Sequence, residues 1–260
     1  MGRPYDSPRQ DGTIALVASP RFAIYFVPAA ASALYRFGAA VLGYDCYTGE
    51  AVARTRAGEL SEADWAALTA EPRRYGFHAT LKAPFRLRSE FTEDDLVAEL
   101  RDLAASITHY PRFEPTVDLI AGFVAIVPQS RGEAVDRLAA DCLTRFDRFR
   151  APLTADEKAR RTAAGLSAAQ AAHLAHWGYP YVLDEFRLHM TLTGRLAVDR
   201  RAAIHALLRQ AFAQACGVRP IVLDRLTLVR QDHTDAPFRV VAQLKVACPG
   251  CGAPVTLSRA

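Results

Sequence analysis

The sequence predicts an α+β protein with mixed or antiparallel sheets rather than a sheet wound through alternating βαβ units. Two observations carry this. Segments of strand and helix character follow in the order strand, helix, strand, helix, two strands, helices, strand, helix, two strands. The triplet His78-Ala79-Thr80 also returns as His189-Met190-Thr191, each time followed by a helix and a pair of strands. The second half therefore repeats the first in outline.

Residues 1–20, with Pro, Gly and Asp throughout, read as a flexible leader. The β-branched and aromatic run Arg21–Val27 is the first strand, stopped by Pro28. Helices are expected over Ala29–Leu42 and Ser61–Thr69, with Ser61 and Asp64 suiting the first turn of the latter. The segment from Pro72 to Leu87 reads as a strand ending at Pro84, followed by a helix over Thr92–Ser106 capped by Thr92. Strands Phe113–Leu119 and Gly122–Val127 surround a short turn. Val135, Leu138, Cys142, Leu143 and Phe146 then recur at helical spacing within Glu133–Phe149. Thr154–Trp177 reads as a helix pair broken near Gly165, so a helical insertion occupies about 133–180. Phe186–Leu196 is the second His-bearing strand, Asp199–Cys216 a helix, and Leu223–Val229 with Phe238–Val246 a closing strand pair. One domain over 21–246 and a tail over 247–260 are expected.

The chain has 260 residues, 50% of them hydrophobic and 23% charged, enough for a sizeable core. Its net charge of +4 suits an anionic ligand and falls short of a histone-like binder of nucleic acid. No run approaches the roughly 18 apolar residues that span a membrane. Together with an odd total of five cysteines, three of them isolated (Cys46, Cys142, Cys216), this predicts a cytoplasmic protein without membrane partners or a disulfide framework.

Side chains alternate between the faces of a strand. His78, Thr80 and Lys82 are therefore expected on one face, with Phe77, Ala79 and Leu81 on the other. His189, Thr191 and Thr193 likewise oppose Leu188, Met190 and Leu192. Two such strands side by side would form a groove with two imidazoles and two hydroxyls. Displacement at phosphorus needs a base for the attacking water and an acid for the leaving alkoxide. Histidine suits both, because its ordinary pKa lies near neutrality. Threonine hydroxyls can donate to the phosphoryl oxygens as charge develops.

The segments HATLK and HMTLT resemble the paired signature of the two-histidine (2H) phosphoesterase superfamily. More closely, YGFHATLKAPFRL, GYDCYTGE and YVLDEFRLHMTLTGRL resemble a family of phosphonate-metabolism proteins from phosphonate-utilisation operons. The likeness runs from about Arg21 to Val246. It implies a bilobal fold of two sheets facing a central cleft with helices outside, each lobe supplying one HxT strand. It further implies catalysis by His78 and His189, phosphate binding by Thr80 and Thr191, and neither metal nor cofactor. The expected substrate is a small phosphorylated metabolite of the ribose cyclic phosphate kind. Hydrolysis of RNA-end cyclic phosphates is the alternative, with Arg73-Arg74 and Arg160-Arg161 as the compact basic pairs that could bind RNA. A non-catalytic binder of phosphometabolites is the second; the oligomeric state stays open.

Four further residues are candidate substrate contacts. Lys82 reaches a second anionic group or is a solvated strand-end lysine. Arg195 lies on the second triplet's face unless Gly194 breaks the alternation. Tyr25 and Tyr75 line the cleft or belong to the core. His173 and His176, one helical turn apart, lack acidic or Cys partners at matching spacing and are read as a surface face. Cys248-Pro-Gly-Cys251 resembles one half of a zinc ribbon without its second pair, and is read as a tail.

Overall fold

The computed structural model describes residues 19–54, 60–163, 165–217, 219–246 and, as backbone, 257–259. Most of the leader, and Cys248 and Cys251, lie outside the described residues. The apolar run RFAIYF forms β1 (Arg21–Phe26), buried along nearly its whole length because strands flank it on both sides. Ser32 then caps α1 (Ala33–Leu42) by accepting from the Tyr35 N–H, so the helix starts four residues after its expected position. Ser61 caps α2 (Glu62–Arg73) in the same way, and Pro72 is accommodated near its C-terminal end. The first His-bearing segment supplies β2 (Ala79–Arg86). A reciprocal Thr92–Asp95 capping box opens α3 (Glu93–Ser106).

Three strands follow, β3 (Arg112–Phe113), β4 (Pro115–Ile120) and β5 (Phe123–Pro128). The helical stretch comprises α4 (Glu133–Asp147), α5 (Ala155–Thr162) and α6 (Ala168–Trp177). Between the last two, Gly165 takes a left-handed φ of 74°, and α6 stops at a left-handed Gly178. The second His-bearing strand is short, β6 (Met190–Thr191). It breaks early because Leu192 N and Thr193 N both donate to Val124 O, while the Thr193 hydroxyl accepts from Val124 N. After it come α7 (Arg201–Cys216), β7 (Ile221–Val222), β8 (Arg225–Gln231), β9 (Arg239–Lys245) and β10 (Leu257–Arg259).

The expectation of two separate sheets is corrected. Eight strands form one sheet in the order β10-β9-β8-β1-β2-β6-β5-β4, and every neighbouring pair is antiparallel; β3 and β7 pair apart from it. The two halves meet where β2 and β6 pair at a single registered position, Ala79 opposite Met190. The strand pair after the first triplet, β4–β5, lies beside β6. The pair after the second, β8–β9, lies on the β2 side, next to β1. Each half thus completes the sheet around the other's triplet. The core packs under this sheet, with α4 against β2, α3 against β8 and β9, and α7 against β4 and β5. Among the described residues no helix is long and apolar enough to cross a membrane.

Candidate active site

The pairing of Ala79 with Met190 decides how the triplets meet. Extending that antiparallel register by one residue each way puts His78 across from Thr191 and Thr80 across from His189. The middle residues point into the core, where Ala79 and Met190 are fully buried. The four outer residues share the other face and line one cavity of about 440 Å³, a size that holds a small metabolite. On such a face the two histidines are diagonal neighbours, roughly 7–8 Å apart between backbones, so side chains can converge on one group between them.

Both imidazoles are held in the same manner. His78 Nδ1 lies 2.9 Å from Gly76 O and His189 Nδ1 2.8 Å from Arg187 O, in each case the carbonyl two residues earlier. A carbonyl only accepts, so Nδ1 carries the proton in each ring. The Nε2 of each neutral ring therefore carries the lone pair, which at His78 accepts from the Thr80 hydroxyl. At His78 that nitrogen is 3.1 Å from the Thr80 hydroxyl. Burial pushes the His78 pKa down to about 4; the Gly76 carbonyl opposes this and the nearby His189 adds to it. Burial lowers His189 as well, against the Arg187 carbonyl. Both rings are neutral near pH 7 when no anion is bound.

Tyr25 stands beside Thr80 in the β1–β2 register. Its ring stacks on that of His78 at 3.8 Å between centroids with 22° between planes. The Tyr25 side chain is buried and also borders the cavity, so the two readings of this residue, core and cleft, hold together. Tyr75 lines the cavity too, stacked on Phe238 at 5.6 Å. Arg195 reaches the same cavity from an exposed position.

Lys82 does not join them. Tyr25 faces Thr80 and Ile24 faces Lys82, so one extra β2 residue is inserted between these pairs. That bulge resets the alternation, and Leu81 and Lys82 are buried in succession. Lys82 Nζ instead donates to Leu143 O at 3.0 Å and pairs with Asp147 at 3.2 Å, on α4. Burial lowers its pKa to about 8 against the opposing pull of Asp147. The expected second-anion contact is corrected on that geometry. Of the two basic pairs, Arg74 bonds Thr234 O and Arg161 lines the cavity.

Sequence reading missed Arg21, Phe123 and Tyr179, which also line the cavity, and it placed Arg161 on an RNA track instead. Arg21 opens β1 and Arg161 belongs to the inserted α5, so no local pattern joins them to the triplets. Proximity in the fold is the only signal. Thr193 also borders the cavity, but its hydroxyl serves the backbone, accepting from Val124 N and donating to Gly194 O. Among the described residues no group of three or more His, Cys, Asp or Glu side chains is placed to hold a metal ion.

Two relatives place this architecture among known proteins. The chain is 38% identical over 221 residues to a protein named ribose 1,5-bisphosphate phosphokinase PhnN from Janthinobacterium sp. (strain Marseille), covering 84% of this chain and 49% of that protein. It is 35% identical over 221 residues to a protein of the same name from Laribacter hongkongensis (strain HLHK9), covering 85% and 50%. The chain spans about half the length of these curated relatives. Residues 80–239, well over half of the chain and including Thr80 and the whole second triplet, match the family described as protein of unknown function (DUF1045), and the chain belongs to that family.

Proposed function

We propose that this protein is a two-histidine phosphoesterase that opens a cyclic phosphodiester on a small ribose-type metabolite. The observation that carries the reading is the pairing of the two HxT triplets on one face of one cavity, with both Nε2 atoms in the lone-pair tautomer. The resemblance to phosphonate-metabolism proteins, and relatives whose name includes ribose 1,5-bisphosphate, support a phosphorylated ribose as the substrate class.

The phosphokinase in that name is compatible with hydrolysis here. The relatives are about twice as long as the matched region. The 260 residues of this chain contain no GxxxxGK[ST] phosphate loop.

In the proposed reaction, His78 Nε2 takes a proton from water as its oxygen attacks phosphorus. The bond from phosphorus to one ring oxygen breaks, and His189 delivers a proton to that alkoxide, leaving an acyclic phosphomonoester. We take His78 as the base because its ring is fixed from two sides, at Nδ1 by Gly76 O and by stacking on Tyr25, with Nε2 left to accept a proton. The bound phosphate anion raises the pKa of His189, which therefore enters the step protonated. Thr80 and Thr191 hydroxyls donate to the non-bridging oxygens. The proton taken by one histidine and the proton given by the other balance over the turnover.

Turnover of a ribose cyclic phosphate tests this. His78→Ala and His189→Ala should each lower kcat by about 10²–10⁴-fold, and the double variant should lose little more, since the two act in one step. Thr191→Val should weaken both rate and product binding. Parent-like turnover by both histidine variants would remove the catalytic assignment. Binding without cleavage by the parent would leave a phosphometabolite binder.

A further inference from the structure

Arg21 and Arg161 come from distant parts of the chain, β1 and the inserted helix α5, yet both line the cavity that holds the two triplets. Each is positioned by neutral partners. Arg21 donates to the Gln231 side-chain oxygen and lies over the Phe238 ring at 5.7 Å. Arg161 donates to Gly178 O and lies over the Tyr179 ring at 5.5 Å. Among the described residues neither has a carboxylate within ion-pair distance, unlike Arg86, Arg150 and Arg230. Two arginine forks, each held by neutral hydrogen-bond partners, thus border one cavity whose lining, among the described residues, also includes a single acidic residue, Glu71. Burial lowers the proton affinity of Arg161 most, Tyr179 and Glu157 oppose that, and the charges of Arg21 and Arg150 add to it. An arrangement of this kind stabilises a bound dianion better than it stabilises the empty protein.

We infer that Arg21 and Arg161 form a second anion subsite, which recognises a terminal phosphate on the same ligand whose other phosphate sits between the HxT triplets. The inference rests on the proposed phosphoesterase reading for the first phosphate, and it makes the substrate a bis-anionic sugar phosphate. It also gives the inserted helix pair a task. Arg161 adds the positive charge of the inserted stretch to the cavity lining, which favours a short ligand with two phosphates.

Calorimetric titration with ribose 5-phosphate and ribose 1,5-bisphosphate tests the subsite independently of turnover. The parent should bind the bisphosphate on the order of 10- to 100-fold more tightly, as expected for charge-assisted hydrogen bonds. The Arg21→Met/Arg161→Met double variant should lose that preference, and Arg161→Lys, which keeps a charge but not the fork, should retain part of it. Equal affinity of the parent for both ligands would overturn the subsite, as would a preference that survives in the double variant. The proposed reaction is judged separately, by cleavage of a ribose cyclic phosphate in the parent and in His78→Ala. A parent that discriminates the bisphosphate but cleaves nothing keeps the subsite and loses the reaction.

Discussion

His78 combines three constraints that seldom coincide on one ring: a carbonyl that fixes Nδ1–H, a stacked tyrosine, and burial that keeps the ring neutral. Together they hold the ring neutral and in one tautomer, as the proposed role of base requires. The same burial has a consequence for stability. The unfolded chain takes up a proton at this position near the ordinary histidine pKa of about 6.5, whereas the folded protein resists until about 4. Between those values the unfolded state binds more protons, so folding stability falls as pH drops through this window and rises again towards neutrality. Urea midpoints measured from pH 7 to 4 should therefore decline more steeply for the parent than for His78→Gln. Parallel declines would show that the ring titrates alike in both states.

Within β2, the bulge after Thr80 gives the strand two jobs. Its first part presents His78 and Thr80 to the cavity, and its second turns Lys82 towards α4. The Lys82 ammonium is almost fully enclosed and is balanced by Asp147, which also holds Arg150 at 2.8 Å. Burial and pairing act in opposite directions here, as in most enclosed ion pairs. Removing the carboxylate leaves an enclosed cation with Leu143 O and the face of the Phe85 ring as its neutral partners. Asp147→Ala should cost about 3–5 kcal/mol of stability, and Lys82→Met, which removes the charge and keeps the packing, should cost much less. Equal losses in thermal unfolding of the two variants would assign the role to α4 packing instead. The sequence alternation alone gave Lys82 to the site, because a bulge leaves no mark in residue type.

At the scale of the molecule, the candidate site depends on the one seam where the two halves of the sheet join. Ala79 and Met190 sit at that seam with no exposed surface to speak of, and every outer residue of the tetrad takes its place from their register. Met190→Ala should destabilise the fold by about 2–5 kcal/mol through the cavity it leaves. It should also lower turnover among the molecules that remain folded, because Met190 pairs with both Ala79 and Ile126 and so seats the two-residue β6 beside His189. A variant that loses stability and keeps full turnover when folded would separate the seam from the site.

The sequence by itself determined the α+β class, nearly every element within a few residues, and the two triplets as the residues most charged with chemistry. Those are local properties: β-branched runs, Ser and Thr caps, helical spacing in α4, and a repeated His-x-Thr frame. The tertiary structure alone decided that the halves share one sheet, that Lys82 leaves the site, and that Arg21 and Arg161 enter it. Each of these turns on hydrogen-bond register or on approach between segments far apart in the chain. Residue type does not encode such contacts: the same arginine serves a solvated surface or a binding cavity according to what folds beside it.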